Sequence, residues 1–286
     1  LGLAIEGAGD SVSVTRSETP GVRILAIRGS DHALPLDAEN NTAGKALLAM
    51  IDVLGLDYGF DVEIDKGIAF GSGMGGSAAS AVAALVAANA LLDKPLRAEG
   101  LYPFALEGEA VASGGKHGDN VAPMLLGGLV LAVGEDPPIR LNTPPGLCSV
   151  LVHPHCVLET RRARAALATP YSLSEFVAQS GHLARFLVAC QRGDIDLLRR
   201  CLRDDLVEPR RAALVPGFQE VKAAALTSGA LGASISGAGP SVFAWCLSTA
   251  HAQVVAQAMQ AAFAENGLDS DSFVSSLDAP GARLLD

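Results

Sequence analysis

The sequence is poor in aromatic residues and in positive charge. Aromatic residues make up 5% of the chain, and 21 Lys and Arg stand against 31 Asp and Glu, which gives a formal net charge of −10. No long basic run appears, so we expect neither nucleic acid nor a membrane surface as a partner, because both require a positive face. The most apolar stretch, residues 78–92, is shorter than the roughly 20 residues of a membrane-spanning helix. We therefore interpret that stretch as a buried helix.

The sequence also lacks paired cysteines. Its five cysteines are an odd number, they are scattered, and none forms a C-x-x-C motif. A disulfide framework or a zinc site is therefore not expected, and a reducing cytoplasm fits best. No signal peptide opens the chain. The chain starts at Leu1 rather than at Met, in what looks like mid-domain sequence, and we expect further residues to precede it.

Apolar and small residues are abundant instead. Of the 286 residues, 49% are hydrophobic and 31 are Gly, and the mean hydropathy is +0.32. Such a chain can bury a large core and is expected to form about two domains. Two proline-rich segments, 136–138 and 143–146, interrupt the predicted helices and strands most strongly. They predict one domain over residues 1–145 and a second over residues 146–286.

Hydrophobic periodicity predicts a mixture of strands and helices. The predicted strands are residues 12–15, 23–27, 60–64, 129–133, 149–153, 233–236, 242–246 and 273–276. The predicted helices are residues 43–54, 77–92, 97–112, 161–167, 173–192, 195–205, 218–228 and 250–266. The elements do not alternate regularly as β-α-β units, so the α+β class is favoured over a doubly wound sheet.

A glycine-rich loop precedes the helix predicted at residues 77–92. It runs Gly-Ser-Gly-Met-Gly-Gly-Ser from Gly71 to Ser77. Positions without side chains let backbone N–H groups converge on an anion, and the start of a helix adds the positive end of its dipole. A phosphate is therefore the natural ligand.

Three interpretations of this loop compete. One is a tight strand-to-helix turn with small residues for packing. Another is a dinucleotide fingerprint, because Gly71, Gly73 and Gly76 fit G-x-G-x-x-G, although that match is weak alone. The third is a nucleoside-triphosphate loop, which is not of the Walker A type because no Gly-Lys-Ser/Thr follows.

The loop resembles the second motif of the GHMP kinases, the family of galactokinase, homoserine kinase and mevalonate kinase. In that family the loop wraps the ATP phosphates, and the serine that matches Ser77 helps to hold Mg²⁺. Two departures are present: Ile68-Ala69-Phe70 stands where a Pro often precedes the loop, and Gly76 stands where the family usually has a first serine. The resemblance implies ATP contacts from Asn41, Ala69, Phe70, Gly71, Ser72, Gly73, Met74, Gly75, Gly76, Ser77, Ala78 and Ala79.

A second block is polar and lies between two apolar stretches. It reads His-Gly-Asp-Asn-Val-Ala-Pro from His117 to Pro123, and Glu109 lies eight residues before His117. Taken alone, Glu109 is a solvated helix carboxylate, His117 a structural hydrogen-bonding group, and Asp119-Asn120 a helix cap or turn. The block resembles H-x-D-N-V-A-P of the homoserine kinases within the GHMP family. That resemblance implies that Glu109 and Ser77 hold Mg²⁺ and that His117, Asp119 and Asn120 lie at the catalytic centre.

Two arginine blocks extend the resemblance. Thr160 and Arg164 match the pattern T-x-x-A-R, and Glu208-Pro209-Arg210-Arg211 matches a second block. Guanidinium groups bind carboxylates with two parallel hydrogen bonds. The resemblance implies substrate contacts from Thr160, Arg164 and Arg211, with Arg210 as the alternative to Arg211, together with His117 and Asn120. The competing interpretation is that both arginine blocks lie on solvated faces of helices.

A second glycine loop, from Ser236 to Ser241, resembles the third motif of the family, which approaches the phosphate loop; a plain β-turn is the alternative. The resemblance implies substrate contacts from Gly237 and Gly239. It covers essentially the whole chain except the family's first motif, which carries an Asn and an Asp facing the substrate and would lie upstream of Leu1. It also implies the family's two-domain fold, with an N-terminal domain like ribosomal protein S5 and a ferredoxin-like C-terminal domain.

The implied activity is ATP-dependent phosphorylation of the homoserine hydroxyl, with ATP and Mg²⁺ required and a homodimer possible. The base that would accept the hydroxyl proton stays open between Asp119, the upstream Asp and no base at all. Another GHMP small-molecule kinase, a non-catalytic nucleotide-binding paralogue and a dehydrogenase are the alternatives.

Overall fold

A computed structural model describes residues 1–285, apart from the side chain of Thr160. The strands are β1 (Gly2–Leu3), β2 (Ser11–Ser17), β3 (Val22–Arg28), β4 (Gly59–Asp65), β5 (Leu129–Leu131), β6 (Ile139–Leu141), β7 (Cys148–Pro154), β8 (Gly232–Ile235), β9 (Val242–Cys246) and β10 (Ser270–Ser276). The α-helices are α1 (Thr42–Leu54), α2 (Gly76–Ala90), α3 (Ala98–Ser113), α4 (Gly118–Leu126), α5 (Thr160–Ala165), α6 (Leu173–Arg192), α7 (Ile195–Cys201), α8 (Glu208–Arg211), α9 (Phe218–Thr227) and α10 (Thr249–Glu265).

The N-terminal half is built on two small sheets. The first has the order β2-β4-β3, with β2 antiparallel and β3 parallel to β4. Strand β4 alternates Phe60, Val62 and Ile64 toward α1, α2 and α3, and all three side chains are buried. The second sheet, β1-β5-β6, is antiparallel. Burial of this apolar cluster is what stabilises the half that carries the first glycine loop.

The C-terminal half is an antiparallel sheet with the order β10-β7-β9-β8. Helices α9 and α10 pack on one face through an apolar cluster that includes Phe218, Val255 and Phe263. Helices α6 and α7 meet Trp245 in another cluster. The mixed strands and helices confirm the predicted α+β class. The predicted boundary between residues 145 and 146 falls in the coil between β6 and β7 and stays a prediction.

Most predicted elements are present, with shifted ends. The short elements β1, β6 and α8 were not predicted, and three further differences concern α4, α7 and β10. Helix α4 begins at Gly118, where a cap or turn was predicted, because the polar start and Pro123 concealed the helical pattern. Helix α7 stops at Cys201 instead of continuing to residue 205, since Asp204 accepts hydrogen bonds from the backbone N–H groups of residues 206–208 and starts a new turn. Strand β10 begins three residues earlier than predicted, at Ser270.

Helix α1 begins at a buried cap. The side-chain oxygen of Asn41 accepts hydrogen bonds from the backbone N–H groups of Ala43 (3.0 Å) and Gly44 (3.2 Å). Its amide nitrogen donates to the Pro35 carbonyl at 2.9 Å. This cap fixes the start of a helix whose Leu47 and Met50 are fully buried.

We predict that Asn41→Ala lowers the free energy of unfolding by about 1 kcal/mol or more, because it removes an N-cap and leaves buried donors without an acceptor. The exposed neighbour provides the control: Asn40→Ala should change the free energy by less than about 0.5 kcal/mol. Urea unfolding of both variants measures the difference. Equal effects of the two substitutions would contradict the role of Asn41 as the cap.

Candidate active site

Residues 66–75 join β4 to α2. This segment includes most of the glycine-rich stretch predicted at residues 71–77 and is called the first glycine loop from here on. Its apolar members Ile68 and Met74 are buried against Ala79 and Leu151, which attaches the loop to both halves of the molecule. Three of its glycines, at positions 71, 73 and 75, have positive φ angles between 65° and 77°. The loop therefore ends in a left-handed residue that turns the chain directly into the first turn of α2.

The second glycine loop binds the first through backbone carbonyl groups. The Ser236 hydroxyl donates to the Gly73 carbonyl at 3.1 Å, and the Ser241 hydroxyl donates to the Ser72 carbonyl at 2.7 Å. Gly73 must lack a side chain because an added Cβ would lie 2.6 Å from the Gly239 carbonyl oxygen. The two loops thus form one rigid unit, in the arrangement that the resemblance implied.

A buried histidine supports this junction from β7. His153 lies within hydrogen-bonding distance of Ser241, with its Nδ1 atom 3.1 Å from the hydroxyl oxygen. Because that hydroxyl donates its proton to Ser72, His153 is the donor, which places a proton on Nδ1. Burial lowers the pKa of His153, and the neighbouring His155 lowers it further. The histidine is therefore a neutral support at physiological pH.

A cavity of about 1050 Å³ opens beside the two loops. Its wall brings together most of the residues predicted for the site, from both halves of the chain. They are Asn41, Ala69, Phe70, Gly71, Ser72, Gly73, Gly75, Gly76, Ser77, Glu109, His117, Asp119, Asn120, Arg164, Arg211 and Gly237. A volume of this size accommodates two small molecules side by side.

Glu109 places a carboxylate at the start of α2. The Ser77 hydroxyl donates to its Oε2 atom at 2.9 Å, and the residue is 5% exposed. Burial raises the pKa of Glu109 above its ordinary value; the hydrogen bond from Ser77 opposes this rise, and the nearby Asp119 adds to it. Glu109 forms no ion pair with any Lys or Arg that the structure describes. A buried carboxylate and a hydroxyl next to a phosphate loop are the hard oxygen donors that Mg²⁺ prefers.

Two arginines lie on the wall contributed by the C-terminal half. Arg164 donates to the Ser113 carbonyl at 2.5 Å, and Arg211 donates to the carbonyls of Ala163 (3.2 Å) and Gly237 (2.8 Å). Burial lowers the pKa of Arg211, with a smaller contribution from the positive charge of Arg164. Because their observed partners are neutral carbonyl groups, these guanidinium groups keep their charge available for an anionic ligand.

Arg210 has a different environment from its neighbour. It pairs with Glu175 at 3.0 Å, donates to the Leu206 carbonyl at 2.5 Å, and lies 4.3 Å from the centre of the Tyr171 ring. Arg211, not Arg210, is the one that lines the cavity. The geometry therefore favours Arg211 as the residue that faces a ligand.

The start of α4 faces the same cavity. His117 precedes the helix, and Asp119 and Asn120 lie in its first turn. The side chain of Asn120 touches the first loop, since a Cβ on Gly75 would lie 2.9 Å from its Oδ1 atom. This contact places an amide beside the predicted phosphate site.

Some predicted site residues do not present side chains to the cavity. Met74, Ala78 and Ala79 have buried side chains. The backbone N–H groups of Met74 and Ala79 already donate to the Ser72 hydroxyl and the Gly75 carbonyl, which leaves that of Ala78 for a ligand. The cavity-lining Asn41 already uses its side chain to cap α1. Gly239 packs against Val215 and Leu158. The Thr160 side chain lies outside the described part of the structure.

The sequence analysis missed one group of functional interest. Asp10, Lys66 and Ser80 meet beneath the first glycine loop. Nothing in the local sequence signals this contact, because Asp10 is separated from its partners by 56 and 70 residues.

One cavity lined by both halves of the chain, with a glycine loop at the start of a helix and two arginines on its wall, is typical of an enzyme that transfers a phosphate group to a small molecule. The family described as GHMP kinases N terminal domain matches residues 41–128, and the family described as GHMP kinases C terminal matches residues 186–265. A homoserine kinase of Xanthomonas campestris is 60% identical over 285 residues, covering 100% of this chain and 88% of the relative. One from Chloroherpeton thalassium is 41% identical, covering 100% and 93%.

Solved structures agree with these sequence relatives. The crystal structure of homoserine kinase from Cytophaga hutchinsonii superposes with a TM-score of 0.95 at 42% identity, covering 99% of this chain and 90% of that one. A mevalonate kinase from L. major shares the fold, with a TM-score of 0.70 at 18% identity, covering 98% and 89%. The chain belongs to the GHMP kinase family, within its homoserine kinase group.

Glu109 leads to a prediction about stability and pH. Since burial raises its pKa, the ionised carboxylate destabilises the unliganded fold above the folded pKa, and this penalty disappears when the group is protonated in both the folded and unfolded states. Glu109→Gln should therefore raise Tm at pH 7–8, and the gain should vanish near pH 4. Calorimetric scans across this range measure the effect.

The control is Glu107→Gln on the same helix, where the carboxylate is partly exposed and pairs with Lys116. That substitution should produce no gain in Tm. A Glu109→Gln variant that is less stable than the parent at pH 7–8 would contradict the assignment of an unpaired, desolvated carboxylate.

Proposed function

We propose that the protein transfers the γ-phosphoryl group of ATP to the side-chain hydroxyl of homoserine, forming O-phosphohomoserine. The relatives at 60% and 41% identity are homoserine kinases. The observation that carries the proposal is the pair Arg164 and Arg211 on a cavity also lined by the phosphate loop. Two guanidinium groups suit a substrate whose α-carboxylate must be bound while its hydroxyl faces a phosphate.

Positioning accounts for most of the catalysis in this proposal. Backbone N–H groups of residues 73–77 bind the phosphates at the start of α2. Arg164 and Arg211 hold the carboxylate, with the backbone of Gly237 completing that side. His117 and Asn120 orient the amino acid. The hydroxyl oxygen then forms the new bond to phosphorus as the bond from the γ-phosphorus to the β,γ-bridging oxygen breaks.

The proton of the hydroxyl must leave during this transfer. Asp119 lines the cavity in the first turn of α4 and is the candidate acceptor within the described chain. Solvent is the alternative, because a loose phosphoryl-transfer transition state requires little assistance from a base.

Mg²⁺ fits the Ser77 and Glu109 pair. The described residues contain no group of three or more His, Cys, Asp or Glu side chains arranged to hold a metal. Mg²⁺ in kinases is held by one or two carboxylates, with phosphate oxygens and water as its other ligands. When bound, it would neutralise charge on the transferred phosphoryl group. Glu109 would hold it, and Ser77 would orient the carboxylate toward it.

We place this activity in the cytoplasm. None of the helices described by the structure combines the length and apolar character needed to cross a membrane. The five cysteines are free thiols, which suits a reducing compartment.

A substrate panel tests the proposal. With ATP and Mg²⁺, release of ADP should be fastest with homoserine, compared with threonine, serine and mevalonate, since only homoserine combines the amino acid group with a primary hydroxyl at the γ-carbon. Mass spectrometry should find one added phosphate on the homoserine hydroxyl. A preference for mevalonate would refute the substrate assignment.

Neighbouring arginines give a matched pair of variants. Arg211→Ala should raise KM for homoserine at least about tenfold, because losing one partner of a charge-assisted pair costs about 2–5 kcal/mol. KM for ATP should change much less. Arg164→Ala should act in the same direction.

Arg210→Ala is the control, since Arg210 is paired with Glu175 and lies outside the cavity wall. It should leave KM for homoserine within about threefold of the parent, as expected for loss of an ion pair away from the ligand. Equal increases in both KM values for Arg211→Ala, or a larger effect at Arg210, would remove Arg211 from the carboxylate site.

A further inference from the structure

A buried aspartate lies beneath the entrance of the first glycine loop. Asp10 stands just before β2, and its side chain is 0% exposed. Its Oδ1 atom accepts hydrogen bonds from the backbone N–H groups of Gly67 (3.0 Å) and Ile68 (3.2 Å). Its Oδ2 atom accepts from the Ser80 hydroxyl at 2.6 Å and from Lys66. Both carboxylate oxygens are therefore satisfied.

A lysine at the end of β4 connects this aspartate to the exit of the loop. The Lys66 ammonium group, whose side chain is 10% exposed, donates to Asp10, to the Gly76 carbonyl at 2.6 Å and to the Ser80 hydroxyl at 2.9 Å. Gly76 is the first residue of α2, and Ser80 lies one turn further along. All three ammonium protons have acceptors.

Together the two charged groups fix both ends of the same loop. Asp10 holds residues 67 and 68 at the entrance, and Lys66 holds the first turn of α2 at the exit. Between these points lie Gly71, Gly73 and Gly75, all with positive φ angles. Glycine-rich segments have the largest backbone freedom of any sequence. The second glycine loop holds the middle of this segment at Ser72 and Gly73, and the two charged groups fix its ends, which adds to the preorganisation of its N–H groups.

We propose that the Asp10–Lys66–Ser80 network is a positioning device that holds the first glycine loop ready for a nucleotide phosphate. Lys66 and Ser80 also line the cavity beside the loops, but the Lys66 charge is already paired with Asp10, so we assign the contribution of the network to the geometry of the loop. Hydrogen exchange without nucleotide separates this contribution from a direct contact with phosphate. The proposal rests on the proposed function only where it concerns nucleotide affinity.

The test separates positioning from stability by a double-mutant cycle. Asp10→Asn and Lys66→Met each leave one buried charge without its partner and should lower Tm. The double variant Asp10→Asn/Lys66→Met removes both charges and should recover Tm relative to the single variants. It still lacks the donor to the Gly76 carbonyl, so the exit of the loop should remain unfixed, while an amide oxygen at position 10 can still accept from Gly67 and Ile68.

Two measurements report on the loop in the double variant. Hydrogen exchange of the peptide spanning residues 67–80, without nucleotide, should be about tenfold faster than in the parent. The Kd for the ATP analogue AMPPNP with Mg²⁺, measured by calorimetry, should rise at least about tenfold. This is the lower end of the affinity loss found when a residue that orients ligand-binding groups is replaced. Affinity for homoserine should change less.

The matched control is a second buried ion pair in the C-terminal half. Lys222 donates to Glu208 at 2.5 Å, and Ser234 donates to the same carboxylate at 2.7 Å. The variant Glu208→Gln/Lys222→Met should leave exchange of the 67–80 peptide and the Kd for AMPPNP at parental values. A parallel change in this control would show that the loop responds to general loosening, which would overturn the proposal.

Parental exchange and parental Kd in a folded double variant would also overturn it. If the double variant does not fold, Ser80→Ala decides, since it removes one shared hydroxyl and should give a smaller change in the same direction. If the parent protein binds no AMPPNP, the proposed function fails, while the exchange measurement still tests the network.

Discussion

The site depends on the hydrogen bonds between the two glycine loops. Ser236 and Ser241 donate to carbonyl groups at Gly73 and Ser72, and the absence of a side chain at Gly73 permits the close approach. Those bonds use the carbonyl oxygens of Ser72 and Gly73, so they leave the N–H groups in the first turn of α2 available to a ligand. The same bonds tie the two halves of the chain together at the point where phosphate and acceptor must meet. Positioning of this kind supplies much of the rate in phosphoryl transfer.

A protein with a net charge of −10 must attract anionic ligands by local rather than global fields. The structure provides two local sources of positive potential. One is the N-terminal end of α2, where unpaired N–H groups and the helix dipole act together. The other is the pair Arg164 and Arg211, which have neutral carbonyl partners. These sources lie on different walls of one cavity, so two anionic groups can be bound without competing for the same donor.

Sequence patterns predicted the features that are local. The glycine loop and the helices around it follow from residues adjacent in the chain, and the α+β class follows from their order. Prediction was weakest where the signal was hidden or distant. Pro123 concealed α4, and Asp204 ended α7 early by capping the following turn.

The site shows the same division between local and distant signals. The resemblance to the family's motifs implied that Ser77 and Glu109 act together, and their side chains meet although they are 32 residues apart. It favoured Arg211 but left Arg210 as the alternative, because adjacent residues on a short helix point in different directions that only tertiary packing fixes. It gave no indication of the network beneath the loop, since no pattern links Asp10 to residues more than 50 positions away.

The unliganded site holds charges that are not balanced by each other. Burial raises the pKa of Glu109 and lowers that of Arg211, so each environment disfavours the charged form of its residue. Both conditions lower the free energy of unfolding of the unliganded protein. A cation bound at Glu109 and an anion bound at Arg211 would each remove this penalty. A ligand that binds only the folded state stabilises that state. Glu109 and Arg211, which destabilise the unliganded protein, therefore couple its folding to ligand binding. The buried Asp10–Lys66 pair beneath the first glycine loop has the opposite character, because its charges are already matched.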